Sequence, residues 1–297
     1  MGLLSNRQRS NLIKSYLYIL PAFLFLLIFT YYPIFYAIFI SFFRWSTDYP
    51  QKVFAGVQNY VEILKGDLFW KVAWNTLLYS VSTIFISMAL GLFLAVQINK
   101  KVRASGVFKV ALFYPMMIPL AAAALIWLWI YIPTYGLLDH LLSGLGLPTL
   151  PWLNSTETAL WCIVAVGVWK HVGYYMILFL AGLYNVPSEL LDAATVEGAG
   201  GFHRFWRITF PLLSSYTFFV FIINIVDSLQ SIDLVYIMTQ GRPADATNLM
   251  VYYIYQQAFR YWNMGVGSTL TSMLTIFLLI CVAVIFSTIG RRIYYEV

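Results

Sequence analysis

Charged side chains are scarce in this sequence. Asp, Glu, Lys and Arg make up 10% of its 297 residues, while 61% are hydrophobic. Soluble domains carry about 25% charged and about 45–50% apolar residues, so a water-exposed globule is excluded. Cysteine is nearly absent. Cys162 and Cys281 lie inside apolar stretches without a partner at metal-ligand spacing, and read as small buried hydrophobes. Histidine occurs at 140, 171 and 203, far apart, which predicts no metal site. No Gly-x4-Gly-Lys-Ser/Thr phosphate loop and no Gly-x-Ser-x-Gly elbow occurs. The chain is therefore expected to be non-catalytic by itself and to bind no cofactor. No linker, low-complexity tract or internal repeat interrupts it, and one membrane domain suffices.

What the chain has in abundance is long apolar runs. A helix crosses about 30 Å of hydrocarbon with about 20 apolar residues. Six stretches qualify: Tyr16–Phe43, Thr76–Ile98, Val110–Tyr131, Leu160–Leu183, Pro211–Val235 and Thr269–Ile289. The first follows Arg7, Arg9 and Lys14 but exceeds the about 7–15 residues of a signal-peptide core, so it is expected to stay as an anchor. Eleven Lys/Arg residues fall on one side of the six spans (Lys100, Lys101, Arg103, Lys109, Arg204, Arg207, Arg291 and Arg292 among them) and six on the other. The basic side is cytoplasmic by the positive-inside rule, with both termini there. The net charge of +6 then reflects loops beside an anionic leaflet, not a nucleic-acid partner. The expected organisation is a cytoplasmic N-terminus (1–15), a six-helix membrane domain (16–290, core 72–287) and a C-terminal tail (291–297). Trp127, Trp129 and Tyr131 read as an aromatic belt at the outer end of span three.

Polar residues at membrane depth mark candidate sites. Lys170 falls near the middle of span four, where insertion costs about 2.5–3.5 kcal/mol, and should face a cavity or an acid. Trp169 and His171 flank it, and Tyr174 shares its face at i+4. It is either a solute ligand or half of an ion pair with Asp227 or Asp233. Asn224, Asp227, Gln230 and Asp233 recur at three-residue spacing, either lining a solute pathway or acting as polar glue between helices.

The connection 187–211 is the most specific feature. Pro187 suits a helix's first turn, with Asn185 or Ser188 as cap. Leu190, Leu191, Ala194 and Gly198 share one helical face. Gly198, Gly200 and Gly201 permit a sharp turn before a second short helix, Phe202–Ile208.

These residues resemble the signature of binding-protein-dependent ABC permeases, Glu-Ala-Ala, three residues, Gly, nine residues, Ile, one residue, Leu-Pro. Here the pattern is Asp192, Ala193, Ala194, Gly198, Ile208, Phe210 and Pro211, with every spacing kept, Asp for Glu and Phe for Leu. The segment Thr239-Gln-Gly-Arg-Pro243, then Thr247, Tyr252, Tyr253, Tyr255 and Phe259, resembles the external segment of carbohydrate-type permeases, with Arg242 in place of a second Gly. Val168-Trp169-Lys170 is similar to the glycerol-3-phosphate type. The resemblance implies an all-α, six-helix importer permease fold in a bacterial inner membrane. It implies a coupling helix, with Leu191, Asp192, Ala193, Ala194, Glu197, Gly198, Ala199, Phe205, Ile208 and Pro211 docking on a separate ATPase. Its implied partners are a second homologous permease, a dimer of ATPase subunits carrying ATP and Mg, an external solute-binding protein and the lipid bilayer. The solute would be a sugar, polyol or glycerol-3-phosphate-like molecule. Two other classes compete. An ion-coupled carrier would use Lys170, Asp227 and Asp233 as a relay, and often shows broken helices, which the sequence does not display. A scaffold membrane protein would need no intramembrane charges.

Overall fold

The structure, a computed structural model, describes residues 6–100 and 105–288, with side chains from Tyr16 onward. Lys101, Arg103, Arg291, Arg292 and the expected tail 291–297 lie outside the described residues, as do the side chains of Arg7, Arg9 and Lys14. In chain order the elements begin with α1 (Asn6–Leu26), α2 (Tyr32–Ile40), β1 (Phe43–Arg44), β2 (Val53–Phe54), α3 (Gln58–Lys65) and α4 (Asp67–Asn99). There follow α5 (Ser105–Met117), α6 (Leu120–Ile130), α7 (Leu137–Gly144), α8 (Ala159–Tyr184) and α9 (Ser188–Val196). The last are α10 (Gly201–Arg204), α11 (Phe210–Leu212), α12 (Ser214–Gln230), α13 (Asp233–Met238), α14 (Met250–Tyr255) and α15 (Met264–Thr288).

Five spans without a sharp bend are long and apolar enough to cross a membrane: Tyr16–Ile40, Asp67–Asn99, Ala159–Tyr184, Ser214–Met238 and Met264–Thr288. A sixth is made of α5 and α6, bent by 98° at their junction. The expected unbroken span Val110–Tyr131 is thus corrected to a broken one. Pro119 has no N–H to give, and its ring disfavours helical backbone at Ile118, so α5 stops one residue short of that position.

Prolines elsewhere are absorbed without a break. The turn Leu27–Tyr31 is π-helical, with the Tyr32 N–H reaching back to the Leu27 carbonyl just before Pro33. Phe205–Thr209 repeats the device before Pro211, Phe210 donating to the Phe205 carbonyl. The wider turn moves the ring off the carbonyl it would strike in an α-helix.

The chain forms two compact units. The smaller comprises residues 1–65 and 254–275. Its β1–β2 ribbon pairs Phe43 with Phe54 and Arg44 with Val53, and Arg44 forms an ion pair with Glu62. The buried Asn59 amide donates to the carbonyls of Ser41 (2.8 Å) and Phe43 (3.0 Å), and the Thr269 hydroxyl donates to Ser41 O (3.2 Å).

The larger unit, residues 66–253 and 276–297, is built on α4 and α8. Lipid tails are as apolar as the side chains, so close packing and polar contacts must hold the helices together. Small residues permit that approach. A Cβ at Gly91 would stand 3.2 Å from the Met176 nitrogen, and one at Gly173 only 1.9 Å from the Leu112 carbonyl oxygen of α5. Ala95, Tyr175, Met176, Phe179, Leu180, Leu183, Leu213 and Val220 form the apolar core beside these contacts.

Candidate functional site: coupling segment and intramembrane polar cluster

Segment 187–211 folds as a helix, a glycine turn and a second helical stretch. Pro187 is the residue before α9, with extended backbone (φ −60°, ψ 124°), instead of lying in the first turn. Neither Asn185 nor Ser188 caps α9; the Asn185 amide turns back to the Ala181 carbonyl and to the Tyr216 hydroxyl. The C-terminus carries the closing signal. Ala199 N–H bonds the Ala194 carbonyl (2.9 Å) and Gly198 N–H bonds the Thr195 carbonyl (3.0 Å), with Gly198 at φ +82°. This is the Schellman arrangement, and its left-handed position is where glycine is strongly favoured. Arg204 then reaches back to the Thr195 hydroxyl, tying the second stretch to α9.

The face read from the spacing divides. Ala194 is buried, which corrects its expected place on a docking surface, and Leu191, Ala199, Phe205, Ile208 and Pro211 are half-buried. Asp192, Ala193, Glu197 and Gly198 are exposed. Around them stand Leu190, already placed on this face by its spacing, and apolar residues not expected at a docking surface: Val196 (90% exposed), Phe202 (81%) and Trp206. The first helical stretch after the turn is α10, Gly201–Arg204, continued by the π-turn, in place of a single helix Phe202–Ile208.

At membrane depth Lys170 is buried (5% exposed), and its expected ion pair with Asp227 or Asp233 does not form. Its ammonium donates to the carbonyls of Pro115 (2.8 Å), Met116 (2.9 Å) and Ile118. These groups end α5 at the break, where no further turn of helix follows and only Pro115 keeps a backbone donor, the Ile118 N–H at 3.3 Å. An ammonium has three donors, all of them spent here, and it sits at the negative end of the α5 dipole. Lys170 thus resolves the cost of the break while the break resolves the cost of the charge. Trp169 turns away to pack edge-on against Trp127 (centroids 5.5 Å apart), within the α6 aromatic group.

The polar stripe of span five is also interrupted. α12 ends at Gln230 and α13 starts at Asp233, so Asp233 does not continue the three-residue register. Asn224 (1% exposed) donates to the Ser87 hydroxyl (2.9 Å) of α4 and acts as glue between helices. Asp227 is half-buried and accepts from the Tyr175 hydroxyl (3.3 Å). Tyr175 stacks on His171 and meets Tyr174, both half-buried, while Gln230 and Asp233 are exposed. His171, Tyr174, Tyr175 and Asp227 are therefore one connected group, and Lys170, Trp169 and Asn224 face other contacts.

Comparison with known proteins agrees with this architecture. Residues 87–295 match the family described as binding-protein-dependent transport system inner membrane component. The chain belongs to this family. It is 34% identical to the probable ABC transporter permease protein YurN of Bacillus subtilis (strain 168), over 90% of this chain and 92% of that one. The trehalose/maltose transport system permease protein MalF of Thermococcus litoralis is 33% identical over 93% of each chain. The sn-glycerol-3-phosphate transport system permease protein UgpA of Agrobacterium fabrum is 31% identical, covering 96% of this chain and 97% of that one. A solved bacterial alginate ABC transporter, in complex with an alginate pentasaccharide-bound periplasmic protein, shares the fold with a TM-score of 0.84 at 20% identity over 97% of each chain. The protein is a multi-pass ABC importer permease, a transport component and not a catalyst, and none of the relatives named here is an ion-coupled carrier.

The permease also carries a clamp at the start of α4 that sequence reasoning missed. Lys71 and, one turn on, Asn75 and Thr76 at the start of α4 hold segment 239–250. Lys71 donates to the Ala244 carbonyl (2.6 Å), Asn75 to the Asp245 carbonyl (2.8 Å), and Thr76 accepts from Met250 N–H (2.8 Å). The positive φ angles of that segment fall on Gln240, Gly241, Ala244 and Asp245, so Arg242 is not required to adopt one. The available signal was Lys-x3-Asn-Thr at the head of an apolar run, which the hydropathy boundary at Thr76 cut away.

Proposed function

We propose that the chain, paired with a second homologous permease, forms the pathway of an ATP-driven importer for a sugar, polyol or glycerol-3-phosphate-like solute brought by an external binding protein. Both termini and segment 187–211 face the cytoplasm, where a dimer of ATPase subunits carries ATP and Mg. The observation that carries this reading is the exposed tip of that segment. A left-handed glycine turn is flanked by Val196 and Phe202, with Asp192 and Glu197 beside them, on an apolar knob that water alone would not favour. ATP binding would close the ATPases, move this knob and rock the two permeases between inward- and outward-facing forms.

Within the membrane, His171, Tyr174, Asp227, Gln230 and Asp233 keep accessible surface and offer hydrogen-bond partners and rings suited to a hydroxylated solute. Lys170 and Asn224 serve the helices. The relatives, which include trehalose/maltose and sn-glycerol-3-phosphate permeases, support the solute class. The test is a Val196→Glu, Phe202→Glu double variant expressed with its neighbouring ATPase. Co-purification of the ATPase should be lost while membrane insertion stays normal. An ATPase that still co-purifies at the wild-type ratio places docking elsewhere. A panel of solutes with the cognate binding protein, read by ATPase stimulation, then separates neutral sugars from phosphorylated polyols.

A further inference from the structure

A groove of about 190 Å³ opens between α5 and α8, lined by Lys109, Val110, Phe113 and Ile177. It belongs to neither the coupling tip nor the intramembrane polar cluster. It lies at the end of the bundle from which segment 187–211 departs, since Tyr184, the last residue of α8, accepts a hydrogen bond from the Lys109 ammonium (2.9 Å). The ammonium also stands 5.5 Å from the centre of the Tyr184 ring. Among the described residues Lys109 has no carboxylate partner. One of its three donors goes to Tyr184 and the other two remain, in contrast to Lys170.

Depth orders these groups. α5 rises about 6 Å from Lys109 to Phe113, and α8 falls about 10 Å from Tyr184 back to Ile177. A cation and a phenol thus stand at headgroup level above a floor with no polar side chain. That is the profile of a glycerophospholipid with a negative headgroup: phosphate oxygens accept from the ammonium, and an acyl chain runs over Val110, Phe113 and Ile177. A polar solute would leave the floor unsatisfied, and an apolar molecule would leave the cation unsatisfied.

We propose that this groove is a binding site for one anionic phospholipid of the leaflet on which segment 187–211 lies. Tyr184 is four residues from the start of α9, so a headgroup held there braces the strut that joins the membrane bundle to the coupling segment.

The experiment uses the purified permease, in whatever complex it leaves the membrane, equilibrated with vesicles of equal parts phosphatidylglycerol and phosphatidylcholine. Retained lipids are counted by native mass spectrometry. Wild type should hold one phosphatidylglycerol in preference to phosphatidylcholine. Lys109→Gln should lower that retention about fivefold, the effect of one basic residue at an anionic surface. Val110→Trp, at an exposed position, should fill the groove and remove the bound lipid without altering charge. Lys65→Gln, remote from the groove in sequence and on an external helix, should change nothing. Equal retention of both lipids by wild type overturns the proposal, as does wild-type retention of phosphatidylglycerol by either groove variant. A melting temperature matching wild type shows that each variant has folded.

Discussion

Replacing Lys170 by methionine tests whether the intramembrane ammonium is a cap or a ligand. Methionine keeps the length and most of the volume of the side chain and removes its donors. Two carbonyls, of Met116 and Ile118, would lose the partner they have now. The Pro115 carbonyl would keep its weaker bond from Ile118 N–H (3.3 Å). An orphaned buried carbonyl costs about 1–3 kcal/mol, so two at mid-range and part of a third total about 5 kcal/mol. No longer inserting an ammonium returns about 3 kcal/mol. The net loss is about 2 kcal/mol, equivalent to about 4–8 °C in Tm for a domain of this size. The natural probe is Cys162, which is buried and reacts with a thiol-sensitive fluorophore only on unfolding. A Cys281→Ser background removes the other thiol. Lys170→Arg should fall between, since a planar fork can reach the carbonyls but does not match a cradle built around a compact ammonium. An unchanged Tm in Lys170→Met, together with selective loss of solute-stimulated ATPase activity, would falsify the cap and make Lys170 a ligand.

Other positions give sharper contrasts. Gly173→Ala would drive a Cβ to 1.9 Å from the Leu112 carbonyl oxygen, backbone against backbone, so α5 and α8 must separate. Loss of folded protein in detergent, read by gel filtration, should exceed that of Gly144→Ala, where a Cβ meets nothing within 4 Å. Gly198→Ala meets no neighbour either, and its cost is conformational only, of order 1–3 kcal/mol for an unfavourable φ. Insertion should be unchanged and Tm lowered by about 2–4 °C for each kcal/mol of that cost, while ATPase coupling falls; wild-type coupling would rule out a requirement for the left-handed turn. In the segment between spans three and four, Asp139 is buried and accepts from Thr134 N–H (2.7 Å) and from the Trp152 indole (2.6 Å). The Thr134 N–H, followed by the indole, holds its carboxyl below the usual range. A lowered folded pKa gives stabilisation that is present above about 3.9 and lost as pH falls through the folded value. Asp139→Asn, with one acceptor for two donors, should lower Tm between pH 5 and 8, and the gap to wild type should close below pH 4.

The bundle was legible because its signals are local and strong. Apolar runs long enough to cross a bilayer located five unbent spans and the bent pair α5–α6, and the pattern from Asp192 to Pro211 marked the segment that folds as helix, glycine turn and second helical stretch. What escaped were properties that depend on a second element. Ala194 lies on the same helical face as Gly198 by spacing, yet the chain folds back through Arg204 and Thr195 and buries it. Val196 and Phe202 looked like ordinary apolar residues and emerge as the tip because the Gly198 turn separates them from the bundle. Spacing left Asn224 as pathway lining or polar glue, and Ser87 opposite it on α4 makes it glue. A one-dimensional register cannot say which neighbour occupies a face.

Lys170 shows the same difficulty in its most instructive form. A charge in mid-span and prolines in mid-span each look costly, and read singly each suggests a function. Pro119 ends α5 inside hydrocarbon and strands carbonyls that lipid cannot satisfy, so the bend needs a donor from another helix. Lys170 is buried where water cannot reach it and needs acceptors without a second charge. The two liabilities are separated by about fifty residues and cancel across the α5–α8 contact. An intramembrane lysine is therefore a safer ligand candidate when no neighbouring span is broken by proline. Here one is, and the anionic solute that Lys170 alone would favour loses its main support; in the proposed pathway His171, Tyr174 and Asp227 are the groups left to meet a solute's hydroxyls.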